Sequence, residues 1–149
     1  MSTFELGTDG PRVILVGVDG SETSLRAAAY AWGMARRQGS KVVMVHVTDP
    51  GQMSALVPLA WASAIETGEQ VVARLREEIE TLAACTGVRI PYVLRSEVGD
   101  PAGVLARVAD EIKADAVVVG ASTRAGHRFV GSVAIRLVRA GRWPVTVVP

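Results

Sequence analysis

Five short segments rich in Val, Ile and Leu punctuate this chain, and the stretches between them repeat their apolar residues every three or four positions. Arg12 to Val18, Lys41 to Val47 and Ala116 to Gly120 are apolar at successive positions rather than alternate ones. Strands of that kind are covered on both faces, which requires a parallel sheet with helices above and below it. Val88 to Val98 and Trp143 to Val148 complete the set, and Pro91 weakens the start of the former, which suits an edge strand. Strand and helix patterns alternate throughout, so the sequence predicts a single-domain, doubly wound α/β sandwich over residues 12–149. Residues 1–11 read as a short frayed tail.

The helices announce their own ends. Ser21 follows the turn Asp19-Gly20 and caps a helix whose apolar positions are Leu25, Ala28, Ala29, Trp32 and Ala35; Gly39 closes it. Glu66 to Thr86 carries a helical period through Val71, Val72, Leu75, Ile79, Leu82 and Ala83 before Gly87. Pro101 takes the first position of a helix to Lys113 that buries Val104, Leu105, Val108 and Ile112, and a last helix runs from Ser132 to Ala140. Gln52 to Ser63, apolar but broken by Pro58, reads as a helix extension packed on the sheet, with a lid or partner surface as the alternative.

At 149 residues and 49% hydrophobic content the chain can bury a core without disulfides or metals. The lone Cys85 forms no internal disulfide and falls in a helical pattern where packing accounts for it. No apolar run approaches the roughly 18 residues of a membrane span. The first residues lack a basic start and an apolar segment, so the expected compartment is the cytoplasm. Net charge is +1, yet the last 34 residues hold five Arg and no Asp or Glu. With few aromatics and one short basic region, neither a nucleic-acid partner nor a membrane is expected.

That basicity surrounds the most informative local arrangement. Ala116 to Gly120 leads into a loop with Ser122, Thr123, Arg124, His127 and Arg128, and Gly131-Ser132-Val133 opens a helix. A helix start offers unpaired N–H groups and the positive end of a dipole, Gly permits close approach, and Arg or Ser adds hydrogen bonds to an anion. Phosphate is the first ligand to consider. Simpler roles stand beside these: Ser132 as an ordinary N-cap, Asp19 as a turn former, the loop arginines as solvated side chains, His46 as a core residue. Arg136, Arg139 and Arg142 fit a wet outer helix face. No Ser-His-acid set, Gly-x-Ser-x-Gly, phosphate-loop lysine or metal-ligand spacing is found, so no catalytic residue is expected.

In their order, Val16-Gly-Val-Asp-Gly-Ser21, Val45-His-Val47, Gly99-Asp-Pro101, Val117-Val-Val-Gly120, Gly131-Ser132 and Trp143-Pro-Val-Thr-Val-Val148 closely resemble the universal stress protein family. The resemblance implies the strand order 3-2-1-4-5, with a cleft where Gly17, Val18 and Asp19 face Gly120 and Ala121. It also implies an adenine nucleotide, ATP in some members, with Asp19 and Val47 near the adenosine and Gly120, Gly131 and Ser132 near ribose and phosphates. Mg would enter only with a triphosphate. Thr123 stands where the family's phosphate pattern has a second Gly, and Gly131 follows Gly120 by eleven positions instead of thirteen. The implied role is a nucleotide-binding regulator in stress response, at most a weak ATPase. The alternative is a nucleotide-independent module that acts as a homodimer through Val145 to Val148.

Overall fold

The computed structural model describes residues 10–49, 51, 58–122 and 130–149, with only the backbone of 58–66 included. The expected tail therefore lies largely outside the described residues, as do 52–57 and Thr123, Arg124, His127 and Arg128. The elements run β1 (Val13–Val18), α1 (Glu22–Gln38), β2 (Lys41–Thr48), α2 (Pro58–Thr86), β3 (Tyr92–Val98), α3 (Pro101–Glu111), β4 (Ala116–Gly120), α4 (Ser132–Ala140) and β5 (Val145–Val148).

All five strands are parallel, in the order β3-β2-β1-β4-β5. Side chains alternate across the sheet and split the core in two. Ile14, Val16 and Val18 of β1 pack with Met44, Val118, Ala27, Ala31 and Leu75 on the α1/α2 face. Leu15, Val43, Val45, Val117 and Val119 pack with Leu105, Val108, Ala134 and Leu137 on the α3/α4 face. Asp115 secures the outset of the central pair: its Oδ2 accepts the Arg12 and Val13 amides at 2.9 and 3.0 Å, tying β1 to the residue that precedes β4.

Several expectations shift in detail. The buried stripe of α1 is Ala27, Ala28, Ala31 and Ala35, whereas Leu25 and Ala29 face solvent. Small residues won the inner face because α1 lies close against β1 and β4. Leu82 and Cys85 are also exposed, so packing does not account for the cysteine. The long helix begins at Pro58, which makes 58–63 an extension of it, as first read. Strands β3 and β5 begin later than the sequence suggests, after Pro91 and Pro144. The edge position of β3 agrees with the reading of Pro91.

Candidate functional site

From β1 the chain leaves the sheet into α1 on one side, and β4, entered from α3 on the other side, lies directly against β1. Loops at the carboxyl ends of such a strand pair diverge and leave a crevice. Its floor is β1 and β4; its walls are the starts of α1, α3 and α4. The cleft holds about 480 Å3, within the roughly 300–1,000 Å3 usual for small-molecule sites.

One wall is closed by hydrogen bonds. Asp19 Oδ1 accepts the Ser21 amide at 2.9 Å, and Ser21, the N-cap, accepts the Ser24 amide at 3.2 Å. Ser24 Oγ donates to the Ser21 carbonyl at 3.0 Å and receives the Asp19 amide at 3.2 Å. Buried Thr23 donates its hydroxyl to the Ala121 carbonyl at 2.7 Å, fastening α1 to the end of β4. Gly120 makes that closeness possible, because a Cβ there would sit 2.5 to 2.7 Å from the backbone of Thr23 and Ser24. Its glycine thus answers to helix packing before any ligand. Burial pushes the Asp19 carboxyl up, but the hydrogen bonds of Ser21, Ser24 and its own amide outweigh that and hold it below the usual range.

The opposite wall is unfinished. The N-cap of α4 is Gly131 rather than Ser132, and no side chain among the described residues caps it. Ser132 is the first residue of the helix, so its expected capping role does not hold. Among the described residues, the α4 start lacks the kind of side-chain cap that Ser21 gives the Ser24 amide of α1 and Asp100 gives the Gly103 amide of α3. Ser122 lies beside Gly131, with 3.1 Å between its Cβ and the place a Gly131 Cβ would take.

Of the residues singled out from the sequence, Gly17, Val18, Asp19, Val47, Gly120, Ser122, Gly131, Ser132 and Val133 all line this cleft. Sequence reasoning missed Ser21, Thr23 and Ser24, whose three hydroxyls follow Asp19 directly, and Val45, Pro101 and Leu105, which supply apolar walls from more distant segments. The Ser21-Glu-Thr-Ser24 cluster was the available signal; nothing local marks Leu105. Gly17 admits that leucine, whose Cδ1 lies 3.0 Å from where a Gly17 Cβ would be.

Just outside the cleft, His46 pairs with Val18 across the β1/β2 ladder. It is buried, as expected of a core residue, and its Nδ1 finds no hydrogen-bond partner among the described residues. Burial depresses its pKa, with the Asp19 charge opposing in part. Gly68 of α2 lies over this region: a Cβ there would come within 2.6 Å of Thr48 Oγ1, 3.0 Å of Ser96 Oγ and 3.3 Å of His46 Nδ1. The three arginines assigned to a solvated outer face, Arg136, Arg139 and Arg142, are exposed as expected, and two of them also meet carboxylates of α3 and its cap. Arg136 reaches Asp100 at 2.6 Å, and Arg142 pairs with Asp110 while covering the Trp143 ring. Among the described residues no group of His, Cys, Asp or Glu is arranged to hold a metal, and no helix is long and apolar enough to cross a membrane.

A doubly wound parallel sheet with a cleft at its switch point defines the class. Residues 11–149 match the profile of the universal stress protein family, and the chain belongs to that family. It is 28% identical over 138 residues to a universal stress protein of Methanocaldococcus jannaschii, covering 91% of this chain and 80% of that one. A universal stress protein of Mycolicibacterium smegmatis is 35% identical over 141 residues, but the match spans 91% of this chain and only 45% of that longer protein. Among solved structures, UspA from Lactobacillus plantarum superposes with a TM-score of 0.79 at 22% identity, covering 93% and 97% of the two chains, and shares the fold. A universal stress protein from Archaeoglobus fulgidus in complex with dAMP gives 0.62 at 26% identity, with 93% and 98% covered. Another in complex with cAMP gives 0.60 at 26%, with 93% and 96% covered.

Proposed function

We propose that this chain binds an adenine nucleotide in the β1/β4 cleft and acts as a regulator whose occupancy is read by a partner. The observation that carries this reading is the α4 start, without a side-chain cap among the described residues, opening into a cleft that also has apolar walls from Val45, Val47 and Leu105. A planar base suits the apolar walls, and a phosphate suits a helix N-terminus with the Ser122 and Ser132 hydroxyls nearby. The dAMP and cAMP bound by two structural neighbours support an AMP-type ligand before ATP. Asp19 is the only ionisable side chain among the described lining residues, and its carboxylate is engaged in the turn that starts α1, which supports the binding reading. Isothermal titration with AMP, cyclic AMP, ADP and ATP, with Mg added for the triphosphate, tests the reading. Heat with an AMP-type ligand is expected; silence with all four would remove it.

A second reading, dimerisation through β5, rests on the two sheet edges. Edge strand β3 carries Arg95 and Glu97, which form an ion-pair network with Arg107 and Glu111 on α3. Edge strand β5 reads Val-Thr-Val-Val, uncharged and half-buried. Pro144 and Val148 direct their carbonyls inward to β4, so by alternation Val145 and Val147 present backbone groups outward. Such an edge invites pairing with a second copy. Sedimentation should show a dimer that Val147→Pro converts to a folded monomer; a wild-type monomer at high concentration would end this reading.

A further inference from the structure

We propose that Arg136 is a phosphate-binding residue of the cleft, held in reserve by Asp100 and transferred to the ligand when a nucleotide enters. The proposal rests on the adenine-nucleotide reading of the cleft and assigns the cation that its described lining lacks. Asp19, the one ionisable group of that lining, has the wrong sign for a phosphate, and the α4 start contributes only partial charge. Arg136 follows Ser132 by four positions and so shares its helix face. Long helical side chains lean back over the preceding turn, which carries the guanidinium toward the α4 start where Ser132 lines the cleft.

Its present partner stands at the same rim. Asp100 directly precedes Pro101, another lining residue, and its two oxygens have separate duties. Oδ2 caps α3 by accepting the Gly103 amide at 2.8 Å, while Oδ1 receives Arg136 Nη1 at 2.6 Å. Both side chains of the pair are about half exposed, a setting in which an ion pair holds weakly. When Arg136 leaves, Asp100 keeps its capping bond, its place at a helix N-terminus and access to water, so no carboxylate is stranded. A phosphate offers the guanidinium two acceptors at once and a charge of its own. The exchange also has a consequence beyond affinity. α3 and α4 are tied at the rim by Asp100–Arg136 and at the far end by Asp110–Arg142, so occupancy would release one tie and leave the other.

Titration calorimetry with AMP and with adenosine, which lacks the phosphate, separates the possibilities on wild type, Arg136→Gln and Asp100→Asn, with a thermal melt confirming that each variant folds. Arg136→Gln should lose affinity for AMP on the order of tenfold and keep its affinity for adenosine. Asp100→Asn, which still caps α3, should bind AMP about two- to fivefold more tightly with adenosine unchanged. An unchanged AMP-to-adenosine ratio in Arg136→Gln, or AMP affinity that does not rise in Asp100→Asn, overturns the proposal while leaving the cleft's nucleotide reading intact. Should Arg136→Gln fail to fold, the Asp100→Asn result decides alone. A wild-type chain that binds neither compound would end both.

Discussion

The starts of α1 and α4 face each other across one cleft, and they are built on opposite plans. At α1 the polar side chains are engaged: Ser21 caps, Asp19 shapes the turn, Thr23 reaches the end of β4, and Gly120 lets the helix backbone approach closely. At α4 a glycine holds the cap position and contributes no side chain. Strand-end crevices thus need not be symmetric. One wall is closed by its own side chains, whereas among the described residues no side chain caps the other. Structural satisfaction and binding potential compete for the same N–H groups, so a helix start that serves one fully is withdrawn from the other.

Glycine substitutions should break the contrast most sharply. Gly120→Ala would drive a methyl group into backbone atoms of α1 and should cost about 2–3 kcal/mol in urea unfolding. Gly131→Ala would meet the Ser122 Cβ at 3.1 Å and its backbone no nearer than 3.8 Å among the described residues, and should cost less than about 1 kcal/mol. Equal costs would mean that the two walls are not differently packed. Thr23→Val keeps shape but orphans the buried Ala121 carbonyl, for an expected loss of about 1–2 kcal/mol. Ser21→Ala removes a cap worth about 1 kcal/mol, whereas Gly131→Asp adds a carboxylate at the open start and should weaken AMP binding at least about tenfold. If Gly131→Asp left AMP binding unchanged, the α4 start would not be where the phosphate sits.

Acid probes the closed wall most gently. The folded-state pKa of His46 lies below its ordinary value of about 6.5, because burial disfavours the cation. The unfolded chain therefore takes up a proton first, and stability falls as pH drops from that value toward the folded one, then levels off. Asp19 behaves likewise in its own range: its folded pKa is depressed, so its contribution is present above the usual aspartate value of about 3.9 and fades as pH falls through the folded one. Urea midpoints measured from pH 7.5 to 5 should decline modestly in the wild type and less in His46→Gln. A parallel decline in both would clear the histidine.

Much of this arrangement was legible before any coordinates. Ser21 and Gly39 marked α1 because caps are local chemistry, and Pro91 marked an edge strand because proline removes a ladder donor. Nine of the proposed site residues line the cleft, seven of them at positions that the family pattern implied. What failed was reading a role from position alone. Ser132 looked like a cap, yet backbone dihedrals gave that place to Gly131; Leu25 had the right period, yet close helix packing preferred the alanines. Arg136 is exposed as expected, but its ion pair with Asp100, 36 positions away at the start of another helix, had no local signal.

The order of apolar runs, helix signals and turn residues by itself determined that this chain forms a parallel α/β sandwich of the universal stress protein family, since hydrophobic period and capping act over a few neighbouring residues. Which helix start is closed, which glycine admits a backbone and which arginine meets an aspartate were decided only in three dimensions. Those facts depend on contacts between segments brought together by the crossover from β3 through α3 to β4, and no local pattern encodes distances across that crossing.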